Sequence, residues 1–335
     1  MTREIKRVFF LTDITTSVLQ YMIRDMAHGF RKLGIEVMVF VQRFKDEPLT
    51  GSMVDRAVRE FNPDVVFQML HLRGEQPRLW ASGPIYVTWV QDFFDLHYNE
   101  YPGEFSGQEL VDTLNKKDLI FCSAEVLRQK YIEAGYNQKN LHLLPVGANM
   151  DLYHRQPVDT DTPFSIGHPR NIAHPGAVGT EEGYNHRLDP VKWLLKENVN
   201  LHMWGEGWDA YPEFCEHSSG LVRNGVDQRI AYQKHDAILS TNWHGNLHQR
   251  LFETVACGRP VLMQAHEDDA AKNNVFDLGV PGLLRYQNRD ELIAHVDALK
   301  TGKVQISDEE YDAFREANDY TARCKEVIRV CSLLD

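Results

Sequence analysis

The order of buried runs in the first forty residues constrains this chain most. Arg7–Thr12 (RVFFLT) is a short apolar strand pattern ending at Asp13 and a Thr/Ser cluster. Helical spacing of apolar residues then runs from about Ser17 to Leu33. Gly34 stops it, and Ile35–Val41 (IEVMVFV) returns as a second buried strand. Two apolar strands joined through a helix form a βαβ unit, which predicts a parallel sheet with helices on both faces. The pattern recurs with a helix near Met53–Phe61 and the strands Asp64–Leu70 and Ile85–Val90. After these come a helix near Gln108–Asn115, the strand Leu119–Cys122, a helix Ala124–Ala134 and Leu141–Leu144. Such sheets bind ligands at the carboxyl ends of their strands. Here those ends lead into loops carrying Asp13, His71–Gly74 and Gln91–Asp95.

Arg155–Thr162 (RQPVDTDT) is polar, contains proline and has no periodicity, so the linker is expected there. A second α/β series follows. Asn171–Gly179 is expected to hold a short strand and a small-residue loop that includes Gly176. A helix containing Arg187–Leu195, a strand Asn200–Trp204, the segment Gly220–Asn224, a helix near Gln228–Lys234 and a strand Ala237–Ser240 come next. Asp290–Leu299 and Tyr311–Leu334 are two terminal helical patterns. With 335 residues, 43% hydrophobic, the chain is long enough for two domains with separate cores.

Charge and cysteine usage narrow the class. A net charge of −12 argues against a broad nucleic-acid-binding face. The five cysteines are scattered and odd in number, and three sit in apolar or helical runs, which predicts reduced thiols in a cytoplasmic protein. No apolar run approaches the roughly 20 residues of a membrane span. The start MTREIKRVFFLTD enters a strand with no signal-peptide pattern.

Asn242–Met263 (NWHGNLHQRLFETVACGRPVLM) carries the most chemistry. It reads as a polar loop, a short helix, a glycine stop and a buried strand. Leu247, Leu251, Phe252, Val255 and Ala256 make one helical stripe, while Asn246, Gln249, Arg250 and Glu253 fall on the other side. Gly258 supplies the left-handed cap. The first turn of such a helix offers unpaired N–H groups and partial positive charge, a seat for phosphate, and Glu253 can accept ribose hydroxyls. The same pattern also fits an amphipathic helix with a Glu253–Arg250 surface pair.

The string Arg250-Leu251-Phe252-Glu253…Ala256-Cys257-Gly258…Pro260-Val261-Leu262 resembles the nucleotide-sugar signature of GT-B glycosyltransferases. It is closest to the CgeB-like, spore-maturation-protein group, which is similar to glycosyltransferase family 4. Cys122–Tyr153 resembles that family's last N-domain unit, and Asn185–Trp208 its R…L…V-x-G-x-G-W segment. The resemblance implies an α/β fold of two Rossmann-like doubly wound domains facing across a cleft. Residues 1–155 would be the acceptor domain and 163–306 the donor domain. Residues 307–335, with Tyr320-Thr321-Ala322-Arg323, would form a helix returning to the first domain.

It further implies a metal-independent glycosyltransferase using a UDP- or GDP-linked sugar. Glu253 would grip the donor ribose, and Asn224 and Gly225 fall at the family's base-contacting loop. Because the leaving diphosphate gains charge, cations and helix N-termini should surround it. Arg187, just after the Gly176–Gly179 loop, is one candidate. Arg250 with the amides of Asn246, Leu247 and His248 is the other. Asp92 resembles the family's polar loop residue over the sugar, as general base or hydroxyl ligand. Asp13 and His97 are weaker candidates of the same kind.

In one place the chain departs from the family 4 pattern: Gly245 stands where that pattern has an earlier glutamate, which leaves the sugar contacts and the stereochemical outcome open. His244 and His248 flank the gap but lack a third zinc ligand nearby. There is no P-loop and no G-x-S-x-G elbow, and Gly205-Glu206-Gly207 is weak as a dinucleotide fingerprint. The acceptor (glycan, protein, lipid, small molecule or modified DNA base) and the oligomeric state stay open. A GT-B nucleotide-sugar epimerase or hydrolase, or a GT-B-shaped binding module without transfer, are the alternatives.

Overall fold

A computed structural model describes residues 3–13, 17–42, 51–69, 83–91, 118–157, 162–170, 181–208, 211–241, 248–265 and 279–334. They form two compact α/β units. One comprises Met1–Val146 with Asp319–Asp335, and the other is the continuous segment Gly147–Asn318.

The first unit contains β1 (Arg7–Asp13), α1 (Ser17–Lys32), β2 (Glu36–Gln42), α2 (Gly51–Phe61), β3 (Val65–Met69) and β4 (Ile85–Val90). Then follow β5 (Leu119–Cys122), α3 (Glu125–Glu133) and β6 (Leu141–Leu143). The strands lie in the order β2-β1-β3-β4-β5-β6, every pair parallel. All six residues of β4 are buried, as befits a central strand covered on both faces. On one side Val54, Val58 and Phe61 of α2 pack with Phe9, Leu11 and Val66. Leu127 and Tyr131 of α3 pack with Val90, Ile120 and Cys122. The winding reverses between β1 and β3, so Asp13, the last residue of β1, stands at the unit's topological switch point.

The second unit contains β7 (Ile166–Pro169), α4 (Glu181–Lys196), β8 (Leu201–Trp204), α5 (Val226–Gln233) and β9 (Ala237–Ser240). It continues with α6 (Gln249–Ala256), β10 (Val261–Gln264), β11 (Leu283–Tyr286), α7 (Arg289–Lys300) and α8 (Asp308–Asn318). Its order is β11-β10-β9-β7-β8, again all parallel. Val191 and Leu194 of α4 join Leu201, Leu239, Leu262 and Val296 in its core.

The Asn171–Gly179 stretch, expected to hold a short strand, lies outside the described residues. The first strand described in this unit is Ile166–Pro169, which the sequence does not announce. Its Gly167 and His168 hide the strand pattern. The glycine is needed because a Cβ there would sit 2.7 Å from His235, Ile238 and Trp204. Gly220–Asn224 takes no regular structure. The pattern Tyr311–Leu334 is two helices, α8 and α9 (Tyr320–Cys331), separated at Asp319, whose carboxylate accepts from the Thr321 N–H at 2.5 Å and caps the second.

That break falls where the units divide. Helix α8 packs on α6 in the second unit, and α9 packs on α1 in the first. Gly29 of α1 makes the second packing possible: a Cβ would lie 2.9 Å from Tyr320 backbone atoms and the Cys324 sulfur. The other division lies at Val146/Gly147, whereas the sequence pointed to 155–162. Arg155 belongs to the second unit. Its N–H donates to Tyr311 Oη at 2.7 Å, its guanidinium stacks 4.1 Å over the Tyr311 ring, and it bonds Asp308 at 2.5 Å. All five cysteines are free thiols, with only Cys215 exposed. No helix among the described residues is long and apolar enough to cross a membrane.

His235 gives the second unit a pH-sensitive element. It is 8% exposed, stacks on Trp204 at 5.6 Å, lies 5.1 Å from the His202 ring and has Nδ1 3.0 Å from Ser165 Oγ. Burial, helped by the His202 charge, lowers its pKa to about 4. The folded state therefore holds it neutral while the unfolded chain takes up the proton below about 6.5. Stability should fall as pH drops from about 6.5 and level off near 4, losing roughly 3 kcal/mol from this group. Urea denaturation at pH 7, 5.5 and 4.5 measures the slope. His235→Phe should flatten it, and an unchanged slope would assign the dependence to other groups.

Candidate functional site

In the second unit the winding reverses between β7 and β9, and open α/β sheets bind ligands at such a point. A pocket opens there, lined by His168, Pro169, Arg170, Thr241, Arg250 and Thr254. Arg170 is the first residue after β7. Its own N–H donates to Trp204 O at 2.9 Å, and its carbonyl accepts from Trp208 Nε1 at 2.6 Å, so the backbone is pinned on both sides. The Arg170 guanidinium donates to Thr241 O, and that of Arg250 reaches from α6 to Pro169 O. Two half-buried cations thus cross the carboxyl ends of two adjacent strands. His168 is 1% exposed, and because Leu239 O can only accept, its Nδ1 carries the proton in their 2.9 Å bond. The hydroxyls of Thr241 and Thr254, both buried, have no hydrogen-bond partner among the described residues. Cations and donor-capable hydroxyls facing one small space suit the oxygens of an anion.

Helix α6 starts at Gln249, not at Leu247, and all its residues except Arg250 are buried. A surface Glu253–Arg250 pair is therefore not what forms. Arg250 and Thr254 face the pocket. Gln249 and Glu253, one position back at the same i,i+4 spacing, face α5 instead. Glu253 is 1% exposed. Its Oε2 accepts from Gln228 Nε2 at 3.2 Å and from Tyr232 Oη at 3.1 Å, and Oε1 accepts from Gln249 Nε2 at 2.8 Å. Burial, and after it the Glu253 charge, pushes the Tyr232 phenol well above its ordinary pKa, so it stays a neutral donor. Gln228 also donates to the Tyr232 oxygen.

The helix ends in a Schellman motif. Gly258 has φ +74°, its N–H donates to Val255 O at 2.8 Å, and Arg259 N–H reaches Thr254 O at 3.2 Å. This leads directly into β10.

Asn224 continues the network outward, its Nδ2 donating to Gln228 Oε1 at 2.9 Å while its Oδ1 accepts from Tyr153 Oη at 3.4 Å. Gly225 has φ +106° and ψ −129°, a conformation essentially reserved for glycine, so its backbone alone accounts for the residue type. His248 is the N-cap residue of α6 in extended conformation, and His244 lies outside the described residues. Arg187 is the seventh residue of α4 rather than its start, and only its backbone is described. Asp92, His97, Gly176, Asn246 and Leu247 lie outside the described residues, as does the side chain of Asp13.

Sequence reasoning missed Arg170, Gln228 and Tyr232. Recognising the strand Ile166–Pro169 would have exposed Arg170 as the residue at its carboxyl end. Gln228 and Tyr232 carry only an i,i+4 spacing as a signal.

Residues 186–329 match the family described as glycosyl transferase-like. No curated protein matches this chain by sequence. Among solved structures, the chain resembles HepE of Anabaena in complex with UDP and glucose. The TM-score is 0.67 at 15% identity, covering 98% of this chain and 100% of that one. It also resembles WaaG, a glycosyltransferase involved in lipopolysaccharide biosynthesis, with TM-score 0.63, 13% identity and coverages of 97% and 99%. An alpha-glucosyltransferase in complex with UDP and a 13-mer DNA matches at TM-score 0.65 and 10% identity, covering 98% and 100%. At these identities the likeness establishes the fold: the chain is built of two parallel-sheet Rossmann-like units of the GT-B type.

Proposed function

We propose that this chain is a glycosyltransferase that moves a sugar from a nucleotide-sugar donor, bound by the second unit, to an acceptor not yet identified. The observation that carries the reading is the pairing on α6: a buried carboxylate that accepts from Gln228, Tyr232 and Gln249 on one face, and a two-arginine pocket at the switch point on the next. In this reading Arg170 and Arg250, with the hydroxyls of Thr241 and Thr254 and the α6 N-terminus after His248, stabilise the diphosphate as the glycosidic bond breaks. Glu253 takes the ribose, and Asn224 lies toward the base.

The reaction needs no metal, because these fixed cations supply the charge. Asp92, with Asp13 and His97 as the weaker candidates, is the proposed acid–base or sugar-orienting group of the first unit. Uridine is the first base to try, since HepE was solved with UDP. Assignment to the CgeB-like group and a cytoplasmic location, the latter in keeping with five free thiols, belong to the same reading.

Incubation with UDP- and GDP-sugars tests it. Slow, acceptor-independent release of free nucleoside diphosphate is expected. Formation of a new sugar epimer instead would make the chain an epimerase. Raised melting temperature without turnover would make it a binding module, an outcome that Gly245 in place of the family's glutamate would then explain.

A further inference from the structure

The carboxylate of Glu253 is held by donors of two kinds. Its Oε2 takes two donors, Gln228 and Tyr232, and both are fixed from behind. Tyr232 is fully buried, and the Gln228 amide cannot flip, because its carbonyl already accepts from Asn224, which accepts from buried Tyr153. The donor seen on Oε1, Gln249, is of another kind. It sits on the same helix as Glu253, one turn earlier, as the first residue of α6, and its long side chain can swing away without moving any backbone.

The geometry points to Gln249 as a stand-in for a ribose hydroxyl. In the free protein its amide satisfies Oε1 of a carboxylate that is costly to leave unpaired. On binding, the nucleotide ribose displaces the amide and donates to the same oxygen, while Gln228 and Tyr232 hold Oε2 as a pivot. A hydroxyl bonded to a carboxylate makes a short, strong contact, so the exchange favours ligands that carry the hydroxyl. A nucleotide lacking the ribose hydroxyls leaves Gln249 in place. The inference rests on the nucleotide-sugar reading of the site, and it assigns Gln249 and Gln228 opposite effects.

Calorimetry with uridine diphosphate and 2′,3′-dideoxyuridine diphosphate tests it on the full chain. Gln249→Met removes the competitor and should tighten uridine diphosphate roughly 3- to 10-fold, the worth of about one net hydrogen bond, with the dideoxy affinity unchanged. Gln228→Met should weaken uridine diphosphate by a similar factor, again sparing the dideoxy nucleotide. If Gln249→Met weakens uridine diphosphate, leaves it unchanged or shifts both nucleotides alike, the stand-in role is wrong. If in addition Glu253→Gln abolishes binding that the wild type shows, the site reading survives that failure. Absence of uridine diphosphate binding in the wild type, or affinity indifferent to Glu253, overturns both. Should a methionine variant fail to fold, Gln249→Asn, one methylene too short to reach Oε1, and Tyr232→Phe carry the same expected signs.

Discussion

Replacing Glu253 with alanine is expected to weaken binding of uridine diphosphate by about 1–3 kcal/mol, roughly 5- to 150-fold in Kd. The same change should lower stability, because Gln228, Tyr232 and Gln249 each lose an acceptor inside a site where none is more than 8% exposed. A buried donor left without an acceptor costs about 1–3 kcal/mol, less where water fills the gap. Calorimetry gives the first effect and a urea melt the second. Unchanged nucleotide affinity in a folded variant would end the ribose assignment. Lowered stability alone would make Glu253 a structural acceptor and nothing more.

Arg170→Ala should separate the phosphates from the rest of the ligand. Each charge-assisted hydrogen bond from a guanidinium is worth about 1.5–3 kcal/mol, so uridine diphosphate should bind roughly 10- to 100-fold more weakly while uridine itself is unaffected. If turnover is present, it should fall by a further factor of order 10²–10³, since the arginine acts on charge that develops as the bond breaks. Arg170 bonds the end of β9 and Arg250 the end of the adjacent β7, beside one pocket, so their double variant should lose less than the sum of the singles. Arg170→Lys keeps the charge but not the fork and should fall between. Equal losses for uridine and its diphosphate would show that the residue merely supports the strand end.

Both experiments turn on residues that were not equally visible in the sequence. Ile85–Val90, Leu119–Cys122 and Ala237–Ser240 were read with the bounds they have, because an uninterrupted apolar run of strand length in a parallel sheet has few other uses. Ile166–Pro169 was not, since close packing of Gly167 against His235, Ile238 and Trp204 replaces the apolar side chain by which a strand is recognised. With that strand went Arg170, a charge that means nothing until the strand before it is known to lie at the switch point. Glu253 and Arg250 were legible as polar positions on a short helix. The sequence could not say that α6 is buried nearly all round, because that depends on α5, α8 and two strand ends meeting it in space. Leu283–Tyr286 escaped because an edge strand with half-exposed side chains has too weak a pattern. The division at Asp319 escaped because one capping aspartate leaves the helical period on either side intact.

The return of α9 to α1 has a consequence for how the molecule is made. The first unit begins at the amino end, yet its packing against Met26 and Gly29 is supplied by residues translated some three hundred positions later. The intervening segment, Gly147–Asn318, is continuous and has its whole sheet in hand before those residues emerge. On the nascent chain the second unit can therefore mature while the first still displays an uncovered apolar helix face. A chaperone that shields such surfaces has its longest window on the part that was synthesised earliest.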